Sequence, residues 1–217
     1  MKTLNKIDKL NHYLIGFWKI AYLNILWWLL SLLGLGVFGV GPATYAVTKY
    51  YFRWLHYKEE PAVIPTIWAY YKENSKQSVL VSWIVSGVFY VVTVNLFNVT
   101  TWYLQVANLL TLLVTVVGAT HIYNVMVALN FDHIKNQIRA SLMMGFGYLH
   151  YTIILWAVII GTYYLLAATY LSLLILFGTG FILFLITLVG SVIIKEFEEV
   201  EEKGEENKNI LLKGELK

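Results

Sequence analysis

The chain has 217 residues, of which 59% are apolar, 16% aromatic and only 13% charged, with no cysteine and a formal net charge of +3. Average globular chains carry about 25% charged residues, and so few charges cannot cover a water-facing surface. The composition excludes a soluble domain, and the missing cysteine excludes disulfide scaffolds, thiol nucleophiles, zinc-thiolate sites and iron–sulfur clusters.

The predicted elements follow from where the charges are absent. After a mixed start carrying Lys2, Lys6, Lys9 and Lys19, residues 20–48 contain no charge, and neither do residues 79–131 or 140–194. A helix crosses the hydrocarbon core with about 20 residues, so the first run holds one crossing and each longer run holds two. The expectation is an all-α polytopic membrane bundle of five crossings, at residues 20–40, 79–98, 102–127, 148–172 and 176–194. The second and third reverse at Asn98 to Thr101. The fourth and fifth reverse between Tyr170 and Gly178, with Gly178 and Gly180 supplying the turn. The first crossing begins too far into the chain, and runs too long, for a cleavable signal. Residues 1–194 read as one membrane domain. Residues 195–217 read as an acidic tail with 8 of the 13 acidic side chains, extending the fifth helix and fraying near Gly204.

Orientation follows from the positive-inside rule. With five crossings, residues 41–78, the loop around Lys135 and Arg139, and the tail share one side and carry twelve of the 16 Lys and Arg. Loops 41–78 and 129–147 and the tail are therefore expected in the cytoplasm of a multi-pass cell-membrane protein, which pushes a basic N-terminus outside. The alternatives are a first run that re-enters, or a sixth, partly buried helix over residues 44–57 with Gly41-Pro42 as the break. Five crossings are preferred, because Lys49 and Arg53 would be costly in lipid.

Both inner loops carry helical stripes. Ile64, Ile67, Trp68 and Tyr71 recur at i, i+3, i+4 and i+7 after Pro61 and Pro65, with Lys72, Glu73, Asn74 and Lys76 around the rest of the helix. Phe131, Ile134, Ile138 and Leu142 repeat the pattern beside Lys135 and Arg139, with Asn130 or Asp132 to cap the start. Both read as short amphipathic helices on the inner membrane face. Lys72, Lys76 and Ser78 match Lys135, Arg139 and Ser141 at an offset of 63, which suggests a duplication of residues 64–127 over 127–194, although chance explains three polar matches about as well.

The run Asn24-Ile25-Leu26-Trp27-Trp28-Leu29, then Gly41-Pro42-Ala43-Thr44, then Tyr71-Lys72-Glu73-Asn74-Ser75-Lys76-Gln77-Ser78 entering a membrane helix, resembles the YesL-like family of small bacterial membrane proteins. Ser75 stands where that family usually has an aromatic or apolar residue. The resemblance covers the first 80 residues by motif and the rest by helix count. It implies a Firmicute-type membrane protein associated with carbohydrate ABC importers and glycan-degrading enzymes. Since importer permeases pass force to their ATPase through short cytoplasmic helices, the expectation is a non-catalytic accessory subunit. It would touch permease or ATPase through residues 68–78 and 131–141; the plainer alternative is that both helices only sit at headgroup level.

Within the membrane, Asn108, Thr111, Thr115, Gly118, His121 and Asn124 form a drifting polar face on the third crossing, and Ser82, Ser86 and Thr93 a stripe on the second. Interhelical hydrogen bonding is the simpler explanation. The functional one is a neutral groove for sugar hydroxyls beside Trp83, Tyr90 and Tyr123, which would make the chain a free-standing facilitator. Gly34-x-Gly36-x-x-Gly39 has dinucleotide spacing but lies in an uncharged run without a preceding strand, so helix packing or a flexible helix end explains it better. Asn98-Val99-Thr100 matches a glycosylation sequon within a very short turn. His12, His56, His121, His133 and His150 lack metal-ligand spacing. The crossings carry no carboxylate, no convincing Ser–His pair and no nucleotide motif, which argues against an enzyme, an ion-coupled transporter and a nucleotide or metal cofactor. The basic residues lie along the membrane surface, where anionic lipid rather than nucleic acid is the natural counterpart.

Overall fold

The computed structural model describes the backbone of residues 2–129, 131 and 133–214, and the side chains of residues 14–129, 131, 133–170, 172–200 and 203. Among the described residues eight helices follow one another: α1 Lys2–Leu33, α2 Val40–His56, α3 Val63–Glu73, α4 Ser75–Asn98, α5 Trp102–Ala128, α6 Ile134–Gly147, α7 Leu149–Thr169 and α8 Leu171–Gly214. Among the described residues five segments are long and apolar enough to cross a membrane: Leu14–Leu33, Ser75–Asn98, Trp102–Ala128, Leu149–Thr169 and Ser172–Val200. The protein is a multi-pass membrane protein built as an all-α bundle, as its charge-free runs require.

Two boundaries differ from expectation. The first crossing ends at Leu33, where residues 34–39 turn the chain tightly; Leu35 and Gly36 adopt φ of 56° and 73°. Gly34 and Gly39 touch there, and a Cβ on either would strike the backbone of the other arm. The glycine spacing thus serves a helical hairpin. Near the C-terminus the reversal falls at Tyr170, not at Gly178 or Gly180, which lie inside α8. The α8 helix also passes through Gly204 without a break. A single helical glycine costs about 1 kcal/mol, which flanking Glu and Lys helix formers offset.

The larger correction concerns residues 40–56. In place of an inner-side loop they form α2, as in the alternative of a partly buried helix over residues 44–57; it runs antiparallel to α1, with Trp27 donating to Thr44 at 3.0 Å and Gly16 packed on Trp54. This is the buried centre of the molecule: Ala43, Tyr45, Val47, Tyr50, Tyr51 and Phe52 are almost wholly covered. Gly41 lets α2 approach α4 so closely that a Cβ would strike the Ser78 carbonyl oxygen. The expected cost of Lys49 and Arg53 is met by partners. Lys49 bonds both Glu73 oxygens at 2.7 Å, and Arg53 pairs with Glu59 and donates to Tyr70 at 3.1 Å. Lys19 bonds Glu60 at 3.1 Å with its ammonium 4.4 Å from the Trp54 ring, so both ends of the α1–α2 hairpin lie together.

Two buried asparagines fasten the neighbouring helices to α8. Asn24 donates to the carbonyls of Ile175 and Leu176 and accepts from the Gly180 amide, substituting for part of the helix's own ladder. Asn124 donates to the Ile186 carbonyl beside Gly190. In both places only glycine leaves room for the amide to reach the main chain.

The order short helix, long helix, long helix occurs twice, as α3–α4–α5 and α6–α7–α8. Each short helix breaks from its long partner at one residue of similar conformation, Asn74 (φ −125°, ψ 33°) and Tyr148 (φ −115°, ψ 40°). These hinges are 74 residues apart, and at that offset buried Ile67, Tyr70, Ser78 and Val81 correspond to buried Ser141, Met144, Thr152 and Leu155. Ser78 and Thr152 each bond back to their hinge carbonyl. The 63-residue register of the charged residues does not align the helices, because it sets Ser78, in α4, against Ser141, in α6.

Candidate functional site

The α3 helix is held on one side and open on the other. Pro61 and Pro65 bracket its start, where the chain leaves α2, and Tyr50 donates to the Pro61 carbonyl at 3.0 Å. Its inner face is Ile67 and Tyr70, both buried against α2. Tyr71 reaches the Leu30 carbonyl at the end of α1, at 3.4 Å. Burial raises the Tyr71 phenol above its ordinary pKa of 10.0, so the hydroxyl remains a neutral donor. Glu73 is held by Lys49 at the other end.

The outer face therefore differs from the periodic stripe. Ile64 and Trp68, which share the apolar stripe with Ile67 and Tyr71, are 61% and 40% exposed in the fold. Trp68 stacks parallel on Tyr71 at 5.8 Å and Lys72 places its ammonium 4.5 Å from the Trp68 ring. An indole held between a ring and a cation loses little freedom on binding, as suits a contact residue. Lys76 is exposed one turn further on, at the start of α4. Glu73 faces the fold instead, and Asn74 forms the hinge.

The second loop is built differently. The helix α6 packs along α5. Gly118 receives Leu142, Gly145 receives Val117, and Ile134 and Ile138 pack beside Tyr45, Val81, Ile122 and Met126. Phe131 joins the cluster around Phe52, Val125 and Ile193. Lys135 and Arg139 alone of the proposed contact residues there point outward. Asn130 and Asp132, expected to cap α6, lie outside the described residues; His133 occupies the cap without a side-chain bond. The two loops meet directly, since Gln77 and Gln137 both donate to the Phe131 carbonyl, at 3.2 and 3.3 Å.

The intramembrane polar residues fall into three environments. Thr111 and Thr115 return their hydroxyls to their own helix, at Ala107 and Thr111, and Asn108 lies on the same outer half of α5. Ser82 and Ser86 line an open recess of about 510 Å³ with Trp83 and Tyr90 beside the 34–39 turn. His121 and Asn124 are buried in the helix junctions, His121 Nε2 lying 2.9 Å from Thr152 Oγ1 and Asn124 joining α8. The stripes of α4 and α5 therefore do not share one groove. His56 pairs with Glu198 at 3.2 Å, while His133 and His150 are exposed and the His12 side chain lies outside the described residues.

Sequence periodicity missed Lys49, Tyr70 and Asn24, which set the position of α3 and α8. Asn24 had a visible signal, an amide within an apolar run. Lys49 had none, since its partner lies 24 residues away.

Residues 20–96, which hold the α1–α2 hairpin, α3 and α4, match the family described as "Protein of unknown function, DUF624". The uncharacterized protein YteU of Bacillus subtilis (strain 168) is 29% identical over 153 residues, 69% of this chain and 69% of its own length. The uncharacterized protein YesL of the same organism is 36% identical over 76 residues, 35% of this chain and 36% of its own length. No solved structure matches. The matched helical-hairpin segment and the similarity to these two relatives support a YesL-like DUF624 family.

Proposed function

We propose that the chain is a non-catalytic accessory subunit of a carbohydrate ABC importer, touching a permease or the ATPase through the outer face of α3. The observation that carries this reading is the build of α3: Ile67, Tyr70, Tyr71 and Glu73 tie it to the bundle, leaving Ile64, Trp68 and Lys72 as a preformed patch outside the candidate spans. A surface ordered in advance binds with less entropic cost. The assignment to a sugar importer rests on the motif resemblance to the YesL-like family. A free-standing facilitator has less support, because its proposed polar residues are divided among separate environments.

In this reading α3, the α5–α6 connection and the α8 extension face the cytoplasm. The Lys19–Glu60 contact supports this, because with α2 returning beside α1 the basic start of α1 joins the side that holds the other Lys and Arg. The test is affinity capture of the full chain from native membranes followed by mass spectrometry. Permease or ATPase should be recovered with the wild type and lost with Trp68→Ala/Lys72→Glu at equal chain abundance; recovery of the wild type without importer subunits rejects the reading.

A further inference from the structure

Between the end of α2 and the charged stretch of α8 lies a cavity of about 390 Å³, independent of the α3 patch. Two lysines line it, Lys58 and Lys195, and among the described residues neither forms an ion pair. The carboxylate in the cavity wall, Glu198, is engaged by His56 at 3.2 Å, and that ring is itself stacked on Phe52 at 4.9 Å. Ser191 donates to the Leu188 carbonyl, so the lysines are the free donors. Leu188, Val192 and Lys195 follow one face of α8 at helical spacing, and Leu188 and Val192 are 37% and 41% exposed within a candidate span. The cavity therefore has a cationic end at the charged side and an apolar wall that continues along α8 into the bilayer.

The backbone at Lys58 is a second, independent observation. Tyr57 caps α2, its amide donating to the Arg53 carbonyl at 3.2 Å, and the residue after the cap is the position that glycine normally fills when it is left-handed. Lysine occupies it here with φ of 57°. A side chain held in a conformation that favours glycine is expected where the side chain itself is used.

We propose that this cavity binds an anionic phospholipid, with Lys58 and Lys195 on the headgroup phosphate and one acyl chain along Val192 and Leu188. The position at the end of α2 and the α8 extension makes the lipid a brace between these helices. The variant Lys58→Gly separates binding from folding, because it removes the cation while relieving the backbone. Delipidated full-length protein in detergent should gain thermal stability from phosphatidylglycerol but not from phosphatidylcholine or inorganic phosphate. By native mass spectrometry, Lys58→Gly and Lys195→Gln should each retain at least threefold less phosphatidylglycerol, with the lipid-free Lys58→Gly protein melting no lower than wild type. Unchanged retention in both variants overturns the proposal. Equal stabilisation by phosphatidylcholine or by inorganic phosphate overturns it too, since the site would then not select an anionic lipid.

Discussion

The units α3–α4–α5 and α6–α7–α8 share a hinge geometry and a burial frame, yet their short helices end in opposite circumstances. The second, α6, spends its surface on α5: glycines at 118 and 145 admit Leu142 and Val117, and Gln137 is buried. The first, α3, uses one face on α2 and leaves Ile64, Trp68 and Lys72 outward. The difference teaches that one short helix is packed into the scaffold while the other leaves one face uncovered, although both carry Lys beside aromatic and apolar residues in sequence.

The sharpest way to break the comparison is to overpack α6. Gly145→Val should cost about 1–3 kcal/mol or more and remove most folded protein from size-exclusion profiles. Gly147→Val, which meets open space, should change the melting temperature little. Next in size is Asn124→Leu, which removes the Ile186 bond and crowds Gly190; a loss of about 0.6–2 kcal/mol, read as lower thermal stability in detergent, is expected. Glu73→Gln should cost about 1 kcal/mol by leaving Lys49 without its carboxylate, and should weaken partner capture as well because α3 loosens. Trp68→Ala with Lys72→Ala should alter stability by under about 0.5 kcal/mol while abolishing partner capture, whereas Lys135→Ala with Arg139→Ala should leave both unchanged. Loss of capture in the second pair but not the first would reverse the roles assigned to the two helices. The cysteine-free chain also permits a direct check of sidedness. Single cysteines at Lys76 and Thr100 should show opposite reactivity to an impermeant maleimide in intact cells.

The crossings were legible because a membrane leaves a one-dimensional record: about 20 uncharged residues for each passage. The centre of the fold was legible only as an alternative, a partly buried helix over residues 44–57. Residues 40–56 carry Lys49 and Arg53, and nothing local reveals that Glu73 and Glu59 will meet them. The stripe on α3 was visible, but its rotation was not, because Ile64, Ile67, Trp68 and Tyr71 are all apolar or aromatic and only the position of α2 selects Ile67 and Tyr70 as the inner face. The 74-residue correspondence of hinges and burial was hidden for a related reason. Ile67 and Ser141, or Tyr70 and Met144, share burial without sharing chemistry, while surface lysines recur in any membrane-edge helix.

By itself, then, the sequence determined the solvent of this protein and the number of its long apolar helices, since hydrocarbon excludes charge residue by residue and independently of the fold. Only the tertiary structure decided that α2 is the core, that α6 is scaffold and that α3 offers its indole outward. Those outcomes depend on pairings between residues distant in the chain, and on glycines whose value appears only when another helix arrives beside them.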